Sequence, residues 1–425
     1  MKNLLLTIQP ALIPIMALLV NFANPAKGQN DTLQPDKPDS EAVMIDDDAW
    51  EIMTLDQSDS SEAKSFMLKG YLKFMHTLWV PDHQTLWLTD NLFHNRINLS
   101  WYITPMASLH GSIRNRFMYG DIVALYQGQT GIPDQHPGYF NLSKELLSDT
   151  SYILHSEIDR LYFDYTKGNL NITAGRQRIN WGTNLVWNPN DLFNVYSYFD
   201  FDYEERPGTD AIRLQYYTGY ASSYELVYKI DNKFDKMSMA GLYKFNRWGY
   251  DFQLLGGKAE SDVVAGIGWT GSVYGAAFRG EATWFLDIEH FTDTISQVVA
   301  SVSADYTFRN SLYLQTGVLY NSNGSKEKAE DINLLVSQPL SAKMLTRSRH
   351  NLFAQIMIPV SPLMIANMAS IINPCDGSWF IGPTIQYSLA EDLELSAVGQ
   401  LFFGDKKSEF GNYGKLFFLR FRRSF

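Results

Sequence analysis

The chain has 425 residues, with 35 Lys and Arg against 46 Asp and Glu and a formal net charge of -11. A general nucleic-acid binder needs a basic footprint, so this balance argues against one. Charged residues are only 19% of the chain and aromatic residues 14%, mean hydropathy is -0.20, and past the N-terminus no run approaches the roughly 20 apolar residues of a spanning helix.

The first segment reads as an export signal. Lys2 precedes the apolar stretch 4–20, and Ala26-Lys27-Gly28 closes it. A positive start, a short apolar run and a small-x-small site describe a secretory signal over 1–28 rather than an anchor. Residues 29–64 follow with eleven acids against Lys37 and Lys64. Such a segment buries too little apolar surface to offset its ordering entropy, so it reads as a disordered periplasmic leader. A docking tail or plug, anchored at Met44-Ile45 and Trp50-Glu51-Ile52-Met53, is the sharper alternative.

From residue 65 to 425 the period is two. Val298, Ala300, Val302, Ala304, Tyr306 and Phe308 share one face, while Gln297, Ser301, Ser303, Asp305 and Thr307 share the other. Apolar-out and polar-in alternation is the pattern of a transmembrane antiparallel β-barrel. About eighteen such segments (16–18) fit the chain, an even number as expected of such barrels. The first lie near 66–79, 89–103, 106–119, 156–167, 169–180, 209–218, 222–231, 236–247 and 249–258. The second half continues near 261–271, 273–285, 297–309, 311–322, 347–360, 363–373, 377–389, 391–404 and 414–425. Tight turns such as Thr104-Pro105 and Arg309-Asn310 alternate with long connections at 120–155, 181–208, 286–296, 323–346 and 404–413. Short periplasmic turns and long extracellular loops are the expected ends, with both termini periplasmic.

Parity then assigns an inner face. It predicts pore-lining Lys69, Lys73, Arg96, Arg114, Arg116, Arg160, Asp164, Arg213, Arg420 and Arg422, together with His94 and His110. One wall is strongly basic, and the opposite wall is milder, with Arg279, Glu281, Asp305, Gln315, Asn351, Gln400 and Glu394. Fixed positive groups along a pore favour anions or anionic sugars. Arg–carboxylate pairs that only stiffen the wall are the plainer alternative, with Asp164 and Glu281 as candidate partners. Between strands lies Gly175-Arg176-Gln177-Arg178-Ile179-Asn180-Trp181-Gly182, then Trp187-Asn188-Pro189-Asn190-Asp191 and Arg206-Pro207-Gly208-Thr209-Asp210. The composition around Asn188–Asp191 predicts a short helix packed on a neighbour, as an inward constriction or an extracellular cap.

This Gly-Arg-Gln…Trp-Gly, Asn-Pro-x-Asp and Arg-x-Gly-x-Asp series resembles porin-type outer-membrane families around the alginate exporter. The match covers only about residues 175–213. The resemblance implies an eighteen-strand barrel in which Arg176 and Arg178 sit under a loop folded over the pore, with Asp191, Arg206 and Asp210 fixing that loop. The last segment, ending Phe417, Leu419, Phe421 and terminal Phe425, resembles the C-terminal signature strand of Gram-negative outer-membrane proteins, which implies recognition by the barrel-assembly machinery.

Enzymatic signals are weak. The eight histidines show no HExxH or other metal spacing, and there is no nucleophile elbow. His94 or His110 with Ser100, Ser108 or Asp164 is the one conceivable hydrolytic group, and polar barrel interiors produce such proximities by chance. One cysteine, Cys375, leaves no disulfide framework and no multi-cysteine metal site. The sequence therefore reads as a passive outer-membrane porin without cofactor or metal, its partners being lipid, the assembly machinery and a small, anionic or sugar-like solute. A homo-oligomer stays open, and so does a non-conducting barrel serving as structural or assembly subunit of an envelope complex.

Overall fold

A computed structural model describes residues 65–82, 87–127, 138–200, 207–288, 296–328, 340–411 and 413–425. The predicted signal, the leader and Arg206 lie outside these residues. The described chain is almost wholly β: β1 (Phe66–Val80), β2 (Leu88–Thr104), β3 (Ala107–Gly120), β4 (Ser143–Asp149), β5 (Tyr152–Lys167), β6 (Leu170–Gln177), β7 (Thr209–Gly219), β8 (Ser222–Lys229), β9 (Ser238–Arg247) and β10 (Tyr250–Ala259). The series continues with β11 (Asp262–Val273), β12 (Ala276–Asp287), β13 (Gln297–Thr307), β14 (Tyr313–Asn321), β15 (His350–Ser361), β16 (Met364–Asn373), β17 (Ser378–Ala390), β18 (Leu393–Phe403) and β19 (Lys415–Ser424). Each strand pairs antiparallel with its neighbour, and β1 pairs with β19, so the sheet closes on itself. Closure removes sheet edges and satisfies every backbone group within the wall.

Eighteen strands form the ring, because β3 pairs directly with β5. The extra strand, β4, was expected as loop. It adds to the half of β5 that β6 leaves bare: Tyr152–Glu157 pairs with β4 and Leu161–Lys167 with β6. Its neighbour α1 (Asp121–Gln127) also falls in that expected loop.

Alternation places the apolar side chains outside. Ile97, Ile113, Leu161, Ile212, Leu254, Ile267, Val318, Leu352, Met368 and Leu419 are all exposed, while Lys73, His94, Glu281, Thr283 and Asn351 are buried. This inside-out distribution suits a lipid surround rather than water. At one rim the connections are short, as at 105–106, 168–169, 248–249 and 274–275. Trp248 and Tyr274 adopt positive φ (55° and 51°) and are followed by Gly249 and Gly275 at 76° and 84°, the two left-handed positions of a tight hairpin turn. At the other rim stand the long connections 121–151, 178–208, 322–349 and 404–414, with 260–261 a short exception.

Candidate functional site: the barrel lumen

The wall formed by β18, β19, β1, β2, β3 and β5 carries the predicted basic residues on its inner face. Register aligns them in rows. Arg422, Lys73, His94, Arg116 and His155 oppose one another across β19, β1, β2, β3 and β5. With neighbouring strands about 4.8 Å apart, this row of nitrogen-bearing side chains runs for roughly 19 Å. The next row is Tyr71, Arg96, Arg114 and Glu157, and the third Lys69, Asn98, Ser112 and Arg160. Tyr71 ties the first two together: its hydroxyl lies 3.4 Å from His94 Nε2, the Arg422 guanidinium sits 4.8 Å over its ring, and Lys73 Nζ is 5.4 Å from the same centroid.

Two carboxylates that alternation misses stand among these cations. Arg114 pairs with Glu157 at 2.7 Å and Arg96 with Asp159 at 3.2 Å, all four nearly water-free. Asp159 reaches the lumen because β5 carries a bulge there. Ser112 faces Arg160 while Ile113 faces Ile158, so Asp159 is the extra residue and both it and Arg160 turn inward. The signal was present in Glu157-Ile158-Asp159-Arg160, whose adjacent charges break the alternation. Arg420 pairs with Glu394 at 3.1 Å. The expected partners differ: Asp164 accepts hydrogen bonds from Asn171 and Thr173, and Glu281 binds backbone. Across β18–β5, eight cations (Lys69, Lys73, Arg96, Arg114, Arg116, Arg160, Arg420, Arg422) face five inward carboxylates (Asp90, Glu157, Asp159, Asp164, Glu394), leaving a net of +3 before any histidine is protonated.

On the neighbouring wall, Arg213 donates to Glu225 at 2.8 Å, and Arg279 pairs with Asp305. Arg176 and Asp210 do not lie over the lumen. They sit where β6 and β7 leave the wall, as a two-bonded ion pair (2.8 Å each) that also holds the Phe140 backbone: Arg176 donates to its carbonyl at 2.6 Å, and its N–H donates to Asp210 at 3.0 Å. The pair thus fills the seam where residues 138–149 take over from β6 along β5. Gly175 (φ 124°) is required there, since a Cβ would strike the Leu161 carbonyl.

Beyond Gln177 the chain turns inward and packs along β8 to β18. Glu281 is its main anchor: one carboxylate oxygen accepts the Asn184 N–H at 2.7 Å as well as the Thr183 N–H, and the other accepts the Asn190 N–H at 3.0 Å. Trp181 donates to Glu225 at 2.7 Å, Ser301 donates to the Trp187 carbonyl at 2.8 Å, and Thr283 donates to Asn190 at 2.6 Å. Phe199 closes against Phe380 and Phe402, 5.0 and 5.4 Å between centroids. The segment expected as a short helix at Asn188–Asp191 is a turn, with Asp191 N–H donating to the Asn188 carbonyl at 3.1 Å. The side chain of Asn190 and the backbone around it are spent on the wall, which leaves none of the regular bonding a helix needs. Asp191 is buried within this turn, and Arg178, half-buried, begins the segment.

His110 does gather two serines. Its Nδ1 lies 2.9 Å from Ser100 Oγ and its Nε2 2.8 Å from Ser108 Oγ, with the ring stacked on Tyr162 at 4.9 Å. Both ring nitrogens are taken by hydroxyls, so no carboxylate orients the imidazole as a nucleophile-activating base requires.

These features define a class, a closed eighteen-strand barrel with an inward-packed segment facing a basic wall. No family model matches the sequence, and no curated protein sequence does. Solved structures do match. The outer membrane protein OprD from Pseudomonas aeruginosa superposes with a TM-score of 0.55 at 10% identity, covering 86% of this chain and 96% of that one. Acinetobacter baumannii OccAB4 gives 0.54 at 9% identity over 86% and 100%, and OccAB1 gives 0.51 at 10% over 87% and 99%. At these identities the shared property is the barrel fold.

Proposed function

We propose that this chain is an outer-membrane porin of a Gram-negative bacterium, passing small hydrophilic solutes and favouring anionic ones or anionic sugars. Both termini then lie on the periplasmic side, at the short-turn rim. The observation that carries the reading is the inner wall of β18–β5, whose aligned rows hold a net positive charge at mid-barrel. Fixed charge in a confined, low-dielectric passage concentrates counter-ions and excludes like charge. The structures of similar fold include a protein described as an outer membrane protein, which supports the location. The resemblance of residues 175–213 to alginate-exporter-type porins agrees with this reading and names no solute.

A second reading is a non-conducting barrel serving as structural or assembly subunit of an envelope complex. It is favoured by the tight packing of 178–200 into the lumen and by the burial of Lys73 and His94. Solute flux separates the two. Liposomes carrying the chain should admit a small carboxylate or sugar acid faster than a neutral sugar of equal size, and an amine slowest. Equal rates, or amines entering fastest, would contradict the anion reading, and no entry of any solute would favour the structural one.

A further inference from the structure

One row on the outer face of the barrel is polar where lipid is expected. Asn95, Asn115 and Ser156 stand opposite one another on β2, β3 and β5. Alternation turns all three outward, since the next residues in sequence, Arg96, Arg116 and Glu157, are buried on the inner face. Apolar rows lie on both sides: Ile97, Ile113 and Ile158 toward the short-turn rim, Phe93, Phe117 and Leu154 toward the other. The polar row is therefore inside the apolar band and not at its edge. Its side chains bond to one another. Ser156 Oγ donates to Asn115 Oδ1 at 2.7 Å, Asn115 Nδ2 to Asn95 Oδ1 at 3.4 Å, and Asn95 Nδ2 to the Tyr71 carbonyl at 3.2 Å. A carboxamide carries two N–H groups, so one on each asparagine has no acceptor among the described residues. Outward hydroxyls elsewhere differ, because Thr316 and Ser370 each donate their only proton to a carbonyl of their own wall. Hydrocarbon supplies no acceptor, and an N–H left without one there is costly.

We propose that this row is the centre of an interface between two copies of the chain lying side by side in the membrane. The inference needs the barrel to sit in a bilayer and is independent of what crosses the lumen. Copies in one membrane share an orientation. A two-fold axis along the membrane normal then brings the same face of each together, and every contact occurs twice. A carboxamide holds its donor and acceptor side by side, so two of them related by such an axis each donate to and accept from the other. The spare N–H groups are satisfied without any other kind of partner. Lipid tails are as apolar as the side chains they would replace, so contacts within a bilayer draw on polar bonds and close packing. The size fits as well. Two convex barrels touch along a strip only a few strands wide, and the row spans β2 to β5, about 10 Å. On these three strands the flanking rows hold no charge, so nothing beside the asparagines repels an identical face or calls for a charged partner.

Cys375, the single cysteine of the chain, lies in the turn between β16 and β17 at the long-loop rim and takes a fluorophore away from the row. In dilute lipid vesicles, full chains labelled with donor and acceptor should transfer energy, and an excess of unlabelled chain should abolish the transfer. Asn95→Leu/Asn115→Leu should still fold, as read by heat-modifiable gel migration, and should lose the transfer. No transfer in the full chain, or equal transfer in the folded Leu variant, overturns the proposal. A second measurement does not depend on that variant folding. Asn115→Cys in a Cys375→Ser background should form disulfide-linked dimers with copper phenanthroline, oxygen taking up the two electrons and two protons of the thiols. Val302→Cys, on the outer face of β13 across the barrel, should stay monomeric. Equal linking at both positions is random collision and overturns the interface, as does the absence of linking at 115.

Discussion

Arg114 and Glu157 show how a single side chain holds this wall. Each is almost water-free, and they meet at 2.7 Å. Removing one member of such a pair strands a buried charge, which costs about 3–5 kcal/mol, whereas replacing both with apolar groups of similar volume is often near neutral. Arg114→Met alone should therefore lower the urea midpoint of the reconstituted barrel clearly, and Arg114→Met with Glu157→Leu should recover most of the loss. A single variant as stable as the parent would show that the pair does not hold the wall. Asp159 explains why such pairs were only partly legible beforehand. Strict alternation puts Arg160 inward and Asp159 outward, and the bulge reverses the second assignment. Lys69, Lys73, Arg96, Arg114 and Arg116 needed no such local irregularity, so parity was enough to place them on the inner face.

The inward segment depends at the scale of an element on one carboxylate. Glu281 accepts N–H groups from Thr183, Asn184 and Asn190. Glu281→Gln turns one acceptor into a donor facing donors, and each buried N–H left unpaired costs about 1–3 kcal/mol. Hydrogen exchange over 183–190 should accelerate in that variant while the strands stay protected; unchanged protection would contradict the anchoring. At the long-loop rim, Glu409 accepts the Arg347 N–H at 2.9 Å and Asn373 Nδ2 at 3.0 Å, and burial pushes its carboxyl above the usual range. A carboxyl with a raised folded-state pKa binds its proton more tightly in the folded form, so this packing is strongest in acid. It weakens as pH rises from the ordinary carboxylate value through the raised one. Protease sensitivity of 404–411 should increase over that window, and Glu409→Gln should abolish the dependence. A pH response that survives the substitution would assign it elsewhere. The eighteen strands of the ring were readable because a two-residue period runs through them, broken locally where β5 bulges. The turn at 188–191 was not, because its shape is set by partners nearly a hundred residues away, among them Glu281 and Thr283. No local pattern records such partners, and the same is true of β4, whose exposed residues carry no alternation.

The molecule as a whole separates its charge. Most of the net -11 lies ahead of the barrel, since residues 29–64 alone hold eleven acids and two lysines, while the inner wall of β18–β5 is positive. On the proposed anion-porin reading, an acidic chain presents a basic passage, and its preference follows from where the charges sit rather than from their sum. The central claim is that this wall sets which ions pass. Its most direct test is the reversal potential of single channels of the full chain under a potassium chloride gradient, compared with an Arg114→Ser/Arg116→Ser/Arg160→Ser variant. A basic wall gives a potential displaced toward that of chloride, moving toward zero in the variant. A cation-selective parent, or a potential that the three substitutions leave unchanged, would contradict it.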